Sequence, residues 1–244
     1  MIQNPEILFS NADYVVLNKP SGMIVNNADT NRDVFTLQDF IQKQFILDGK
    51  KDDPDDSEFL QRGGIVHRLD KETSGVLLVA LNGRTFRNLQ SQFKERTTEK
   101  EYTALCHGKI MSGGEINVPI GRLPWNRMRF GVIPSGRESQ TTFKVEKNYV
   151  LSEGKIREEL TLLNVFPKTG RTHQIRVHLQ YAGHPIFGDS LYAGRKTYSH
   201  DKKYLKRHFL HARRITITSP STLKKVTYEA PLSSELIDFL AQLT

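Results

Sequence analysis

Cysteine is scarce: Cys106 stands alone in 244 residues, so no internal disulfide can staple the fold and a metal centre built from thiolates is excluded. Long apolar runs are missing too. The longest, Val76 to Leu81, falls far short of the roughly 20 apolar residues that a bilayer-crossing helix needs, so nothing supports a membrane role. The opening stretch MIQNPEILFS lacks the basic region and apolar core of a secretion signal, from which a cytosolic protein is expected. No repeat of solenoid or propeller length and no long low-complexity linker divides the chain. A Walker-type phosphate loop is absent as well, because Asn18-Lys19-Pro20-Ser21-Gly22 has a lysine without the glycine framework around it. One compact domain over residues 1–244, acting as a monomer, is therefore the expectation.

What is present is a chain able to bury a core, with 37% hydrophobic residues, and a formal charge of +8 that is unevenly spread. Residues 48–58 carry Asp48, Asp52, Asp53, Asp55, Asp56 and Glu58 against Lys50 and Lys51, a local charge of −4. That density of like charge, with Pro54 inside it, predicts a mobile acidic loop. Between Arg195 and Lys225, ten Lys or Arg face a single acid, Asp201. A stretch this basic attracts a polyanion such as nucleic acid, and Lys202, Lys203, Lys206 and Arg207 are its candidate phosphate contacts.

Hydrophobic periodicity predicts strands at Ile7 to Phe9, Tyr14 to Asn18, Gly75 to Leu81, Lys100 to His107, Thr141 to Glu146, Glu159 to Val165, Arg213 to Thr218 and Lys225 to Glu229. Helices are expected from Thr36, in a capping box with Asp39, to about Leu47, from Arg84 to Glu95, from a Thr172 cap to Ala182, and from a Ser233 cap to Leu240. Runs of strands broken by a few helices indicate an α+β fold rather than alternating βαβ units.

Chemistry concentrates where His67-Arg68-Leu69-Asp70-Lys71-Glu72-Thr73-Ser74-Gly75 leads into the apolar strand. A carboxylate set among cations at the edge of a core keeps its charge and can act as nucleophile or base towards a sugar carbon or a base ring. At these residues the sequence resembles the RluA-type pseudouridine synthases, which act on ribosomal and transfer RNA. Five blocks stand in the family's order: Asn18 to Gly22; His67 to Asp70 with Thr73 to Val76; Lys100-Glu101-Tyr102; Thr169 to Leu179; and Gly183 to Ile186 through Gly188-Asp189 to Tyr192. The departures are Ser219-Pro220, where members often have His-Pro, and the acidic insert.

The resemblance implies an extended, mainly antiparallel mixed β-sheet flanked by helices, with a central active-site cleft. It implies Asp70 as the catalytic carboxylate, Tyr102 stacking on the target uracil, and Arg176 pairing with the carboxylate while Ile175 packs against the site. Arg68 is implied to fill the space left when the uridine leaves the stack. The reaction this implies, isomerisation of a uridine in rRNA or tRNA, needs no cofactor and no metal. Asp70 could attack C1′ of the sugar, attack C6 of the base, or act through a glycal; the residues leave these routes open. Lys19 and His67 are expected to be structural. Asn18 stands too early to leave room for the small S4 module that many members carry in front, so none is expected.

Rival chemistries fit less well. His173 and His178 are five apart, not the four that would put two ligands on one helical face, which weighs against a metal hydrolase built on them with His184 and Asp189. Asp70 and Glu72 are too close in sequence to oppose each other across a sugar as in a glycosidase. A non-catalytic RNA-binding protein on a synthase-like fold is the remaining alternative.

Overall fold

In the computed structural model, which describes residues 3–28, 33–50, 53–154 and 156–244, the elements run in order: β1 (Glu6–Ser10), β2 (Tyr14–Lys19), α1 (Leu37–Gln44), α2 (Pro54–Gln61), β3 (Ser74–Ala80), α3 (Gly83–Lys94), β4 (Glu99–His107), β5 (Gly114–Asn117), β6 (Ile120–Leu123), β7 (Asn126–Val132), β8 (Gln140–Glu153), β9 (Ile156–Pro167), α4 (Gln174–Tyr181), α5 (Arg195–Asp201), β10 (Leu210–Thr218), β11 (Lys225–Glu229) and α6 (Ser234–Leu240). The fold is α+β, with mainly antiparallel sheet. The chain forms two compact units, Met1–Glu99 with Ala212–Pro231, and Lys100–His211 with Leu232–Thr244. Two of the crossings fall within strands, one near the start of β4 and one inside β10, so no change in composition marks them.

In the first unit β1, β2 and β3 are successive antiparallel neighbours, β10 lies beside β3, and β11 pairs antiparallel with β10. Every residue of β3 is buried, which is why its sequence, SGVLLVA, reads as a continuous apolar run and not as an alternation. Val16, Leu78, Phe86, Leu89, Ile215 and Ile217 belong to one core cluster. Thr36 and Asp39 make the expected capping box on α1, and Asn82 caps α3 through the Thr85 N–H.

The acidic segment departs from the expected loop. Pro54–Gln61 is helical because Asp53 caps it, Pro54 occupies the first turn, and Asp55 and Asp56 sit where the helix dipole favours negative charge. Asp56 is buried, accepting from the Lys50 N–H at 3.0 Å and from Arg87 Nη1 at 3.0 Å. A Cβ at position 83 would press on its carboxylate, so a larger residue there displaces Asp56. Lys51 and Asp52, counted in the acidic segment, lie outside the described residues.

The second unit holds the antiparallel strands β4, β9, β8 and β5 in that order and the separate hairpin β6–β7. Its own core includes Leu105, Leu163, Ile175, Leu179, Phe187 and Phe239. Helix α4 begins at Gln174, and Thr172 does not cap it; His173 precedes it in the left-handed region at φ 57°. The Gln174 side chain stitches the turn instead, accepting from the Arg171 N–H (3.0 Å) and the Thr169 hydroxyl (2.6 Å) and donating to the Gln140 carbonyl (3.0 Å). Among the described residues no helix is long and apolar enough to cross a membrane.

Candidate active site

Asp70 is half-buried, in the loop that enters β3, and two turns fix that loop from below. Lys19, with 0% of its surface exposed, donates from Nζ to the carbonyls of Pro20 (2.9 Å), Met23 (2.9 Å) and Lys71 (3.1 Å). The Gly22 N–H reaches the Lys71 carbonyl at 2.9 Å and the Ser21 hydroxyl the Glu72 carbonyl at 2.9 Å. A buried ammonium needs such acceptors, and here they come from both turns at once, so Lys19 ties the residue after Asp70 to the Lys19–Met23 turn. His67 acts on the other side. Its Nε2 accepts from the Leu78 N–H at 3.0 Å and its ring stacks on Phe93 at 4.7 Å. Lys19 and His67 thus both take part in holding the loop. Gly75 completes the loop at φ 115°, where a Cβ would clash with the Ala212 carbonyl oxygen. Leu69 is buried and Arg68 is exposed, so the loop hangs on an apolar anchor between a cation and the acid.

In the second unit Tyr102 lies on β4 opposite Val165 of β9, half-buried against that unit's core. Ile175 is in the core. Arg176 is 4% exposed and holds Asp189 through two bonds, Nε to Oδ2 at 2.7 Å and Nη2 to Oδ1 at 2.9 Å. Asp189 is 0% exposed, and its Oδ1 also accepts the N–H groups of Leu191 (2.9 Å) and Tyr192 (3.0 Å). Burial alone would raise the Asp189 pKa, but the Arg176 guanidinium outweighs it and holds the carboxyl below its ordinary value. The guanidinium also lies 5.0 Å from the Tyr192 ring centroid. Its bidentate fork, two parallel bonds to one carboxylate, fixes the guanidinium plane. Sequence reasoning gave Asp189 no role in holding Arg176. The available signal was a buried arginine on an apolar helix, which demands a carboxylate.

The basic stretch is less uniform than its charge suggests. Lys202, Lys203 and Lys206 are exposed, with Lys203 Nζ 3.4 Å from Glu153. Arg207 is not a surface contact: it is 4% exposed and donates to the carbonyls of His208 (3.1 Å) and Leu210 (2.7 Å). Arg213 and Arg214 both face Glu229, and Lys225 faces Glu99 at 2.8 Å. The histidines weighed as metal ligands have separate partners: His173 bonds Tyr192, His178 bonds Ser139 and Thr141, and His184 bonds the His107 carbonyl.

A family model described as RNA pseudouridylate synthase matches residues 13–181. The chain is 40% identical over 182 residues to an uncharacterized RNA pseudouridine synthase of Chloroflexus aurantiacus, a match covering 75% of this chain and 54% of that one. It is 34% identical over 239 residues to ribosomal large subunit pseudouridine synthase D of Nitrosomonas europaea, covering 96% and 64%, and 34% identical over 239 residues to the uncharacterized RNA pseudouridine synthase YlyB of Bacillus subtilis, covering 98% and 72%. The chain therefore spans between about half and two thirds of the length of the first two of these relatives. Among solved structures, human RNA pseudouridylate synthase domain containing 1 matches with a TM-score of 0.73 at 26% identity, over 98% of this chain and 89% of that one.

Proposed function

The chain belongs to the RNA pseudouridylate synthase family, and from that premise we propose that it converts a uridine within an RNA into pseudouridine. The reaction is an isomerisation: the C1′–N1 bond breaks, a C1′–C5 bond forms, C5 loses its proton and N1 gains one. It needs no redox partner and no external group, so no cofactor is invoked. Asp70 is the catalytic carboxylate, Tyr102 stacks on the uracil, Arg176 is the guanidinium of the site with Ile175 packed beside it, and Arg68 fills the gap left in the RNA stack. Lys202, Lys203 and Lys206 contact phosphates. The substrate class is ribosomal RNA, which the name of the Nitrosomonas relative supports, with transfer RNA the alternative; the enzyme works as a monomer in the cytosol.

The observation that carries the reading is the half-buried acid on a loop whose backbone is held by buried Lys19 and by His67. A loop fixed this way carries its carboxylate from a constant backbone position. Release of tritium from RNA containing 5-tritiated uridine tests it. The parent should release tritium, and Asp70→Asn should lower the rate by roughly three orders of magnitude or more while binding RNA as before. No release by the parent, with binding intact, would leave an RNA-binding protein in place of the enzyme.

A further inference from the structure

A group of ionisable side chains in the second unit takes no part in the reaction proposed above. His107 ends β4, Glu153 ends β8, Glu158 lies on β9, and His200 and Asp201 form the last turn of α5. His107 bonds one oxygen of each of two carboxylates: Nδ1 meets Glu158 Oε1 at 2.6 Å and Nε2 meets Asp201 Oδ2 at 3.0 Å, the latter oxygen also accepting the Gly188 N–H at 2.9 Å. The two carboxylates are thereby oriented from behind.

Their other oxygens face one way. His200 Nδ1 lies 3.7 Å from Glu158 Oε2 and 3.9 Å from Asp201 Oδ1, too far for hydrogen bonds. Asp201 is 0% exposed, and its Oδ1 is buried with no hydrogen-bond partner. A buried carboxylate oxygen without a partner is costly and calls for a ligand. On the far side of its ring His200 Nε2 lies 3.0 Å from Glu153 Oε2; the neutral tautomer that donates there turns the lone pair of Nδ1 towards the two oxygens. A carboxylate behind a histidine is the usual support of a metal-ligating imidazole. With metal–ligand bonds of about 2.0–2.2 Å, a four-coordinate ion keeps its ligand atoms roughly 3.3 Å apart. The separations found are a few tenths of an ångström wider, a gap that small side-chain rotations close but a shared proton does not span. A groove of about 540 Å³, lined by Gly108, Arg157, Glu158, Glu159, Thr197 and His200, opens at the cluster and supplies an entry path.

We propose that His200 Nδ1, Glu158 Oε2 and Asp201 Oδ1 bind a divalent transition-metal ion of the zinc class, with His107 and Glu153 orienting the ligands and the fourth position facing the groove. One imidazole with two carboxylates suits zinc better than magnesium or calcium, which favour oxygen alone. The ion would join β9 to α5 and so hold the helix that runs into Lys202 and Lys203.

The test uses the full chain, stripped with a chelator and titrated with Zn²⁺ by calorimetry, and with Co²⁺ followed by visible absorption. A single ion per chain should bind, with the Co²⁺ spectrum of a four-coordinate site. His200→Gln, at a partly exposed position, should abolish binding with the fold intact, and Glu153→Gln should weaken it by about 10–100-fold at unchanged stoichiometry. Absence of stoichiometric uptake, or equal uptake by the parent and His200→Gln, overturns the site. Tritium release is not part of the readout, so the failure of this inference and of the proposed activity are told apart.

Discussion

The loop that carries Asp70 and the helix that carries Arg176 are both fixed by a buried ion, but in opposite ways. Around Asp70 the fixing charge, Lys19, is spread over three backbone carbonyls, two of them within four residues of the lysine itself. Around Arg176 the fork closes on a carboxylate, Asp189, thirteen residues along the chain, which is itself pinned by the backbone of Leu191 and Tyr192. Carbonyls are dipoles shared with the rest of the backbone, so loss of the lysine leaves no net charge behind. Loss of Asp189 takes the bidentate acceptor from a guanidinium that is 4% exposed. The Asp70 loop is therefore built to tolerate change better than the arginine helix.

Asp189→Ala is the strongest way to break this contrast. Removing one partner of a buried pair costs about 3–5 kcal/mol, so the urea midpoint should fall steeply. Lys19→Met, which fills similar volume without the ammonium, should cost about 2–3 kcal/mol through the bonds lost at the Pro20 and Met23 carbonyls, the Lys71 carbonyl keeping the Gly22 N–H. Its effect on tritium release should exceed what the lost stability explains, because the Lys71 carbonyl beside Asp70 is one of the three. Equal stability losses in the two variants would show that the distribution of acceptors does not matter. A Lys19→Met enzyme with the parent's turnover at low temperature would separate the lysine from the placement of the acid.

The same contrast explains what the sequence made legible. The Asp70 loop could be read because its parts are contiguous: Lys19 to Gly22 form one turn, His67 to Gly75 one motif, and the buried strand after it one apolar run. The capping box of Thr36 and Asp39 is local in the same sense. Arg176–Asp189 was harder, since nothing in the spacing says which carboxylate a buried arginine meets. The hairpin β6–β7 escaped because its two strands are mostly exposed or half-buried and show no alternation, with Trp125 and Met128 open to solvent. Helix α5 escaped because only Asp201 of its seven residues is buried. Arg207 was misread for a related reason: a run of Lys and Arg gives no sign of which member turns inwards to bond the backbone.

Acid should discriminate further between the two regions. His178, on the arginine helix, is 0% exposed, with Nδ1 2.9 Å from the Thr141 hydroxyl and Nε2 3.0 Å from that of Ser139. Burial lowers its pKa below the ordinary value of 6.5, against a smaller opposing effect of the Val118 carbonyl. The folded protein therefore resists protonation more than the unfolded chain does. The stability this confers is complete above 6.5 and is lost as the pH falls below it towards the folded value. His178→Gln should flatten the fall of the urea midpoint between about pH 7 and pH 5, whatever it does to stability at neutral pH. Identical pH slopes in parent and variant would assign the acid sensitivity elsewhere.

The smallest effect concerns the basic stretch, where neighbours in sequence have opposite surroundings. Lys206 is exposed, whereas Arg207 is 4% exposed and donates to two backbone carbonyls. If phosphate contact is what this stretch supplies, only a side chain in water can release counterions on binding RNA. Lys206→Ala should therefore weaken RNA binding modestly and reduce the slope of log affinity against log salt by about 0.7–0.9 for the phosphate it leaves. Arg207→Ala should leave that slope unchanged and show itself in the urea midpoint, because it removes hydrogen bonds to the His208 and Leu210 carbonyls. Lys202 and Lys203 give an internal scale. Lys203 already faces Glu153, so its replacement should change the slope less than that of Lys202. A slope that responds to Arg207 and not to Lys206 would reverse the assignment and require the loop around residue 207 to open when RNA binds.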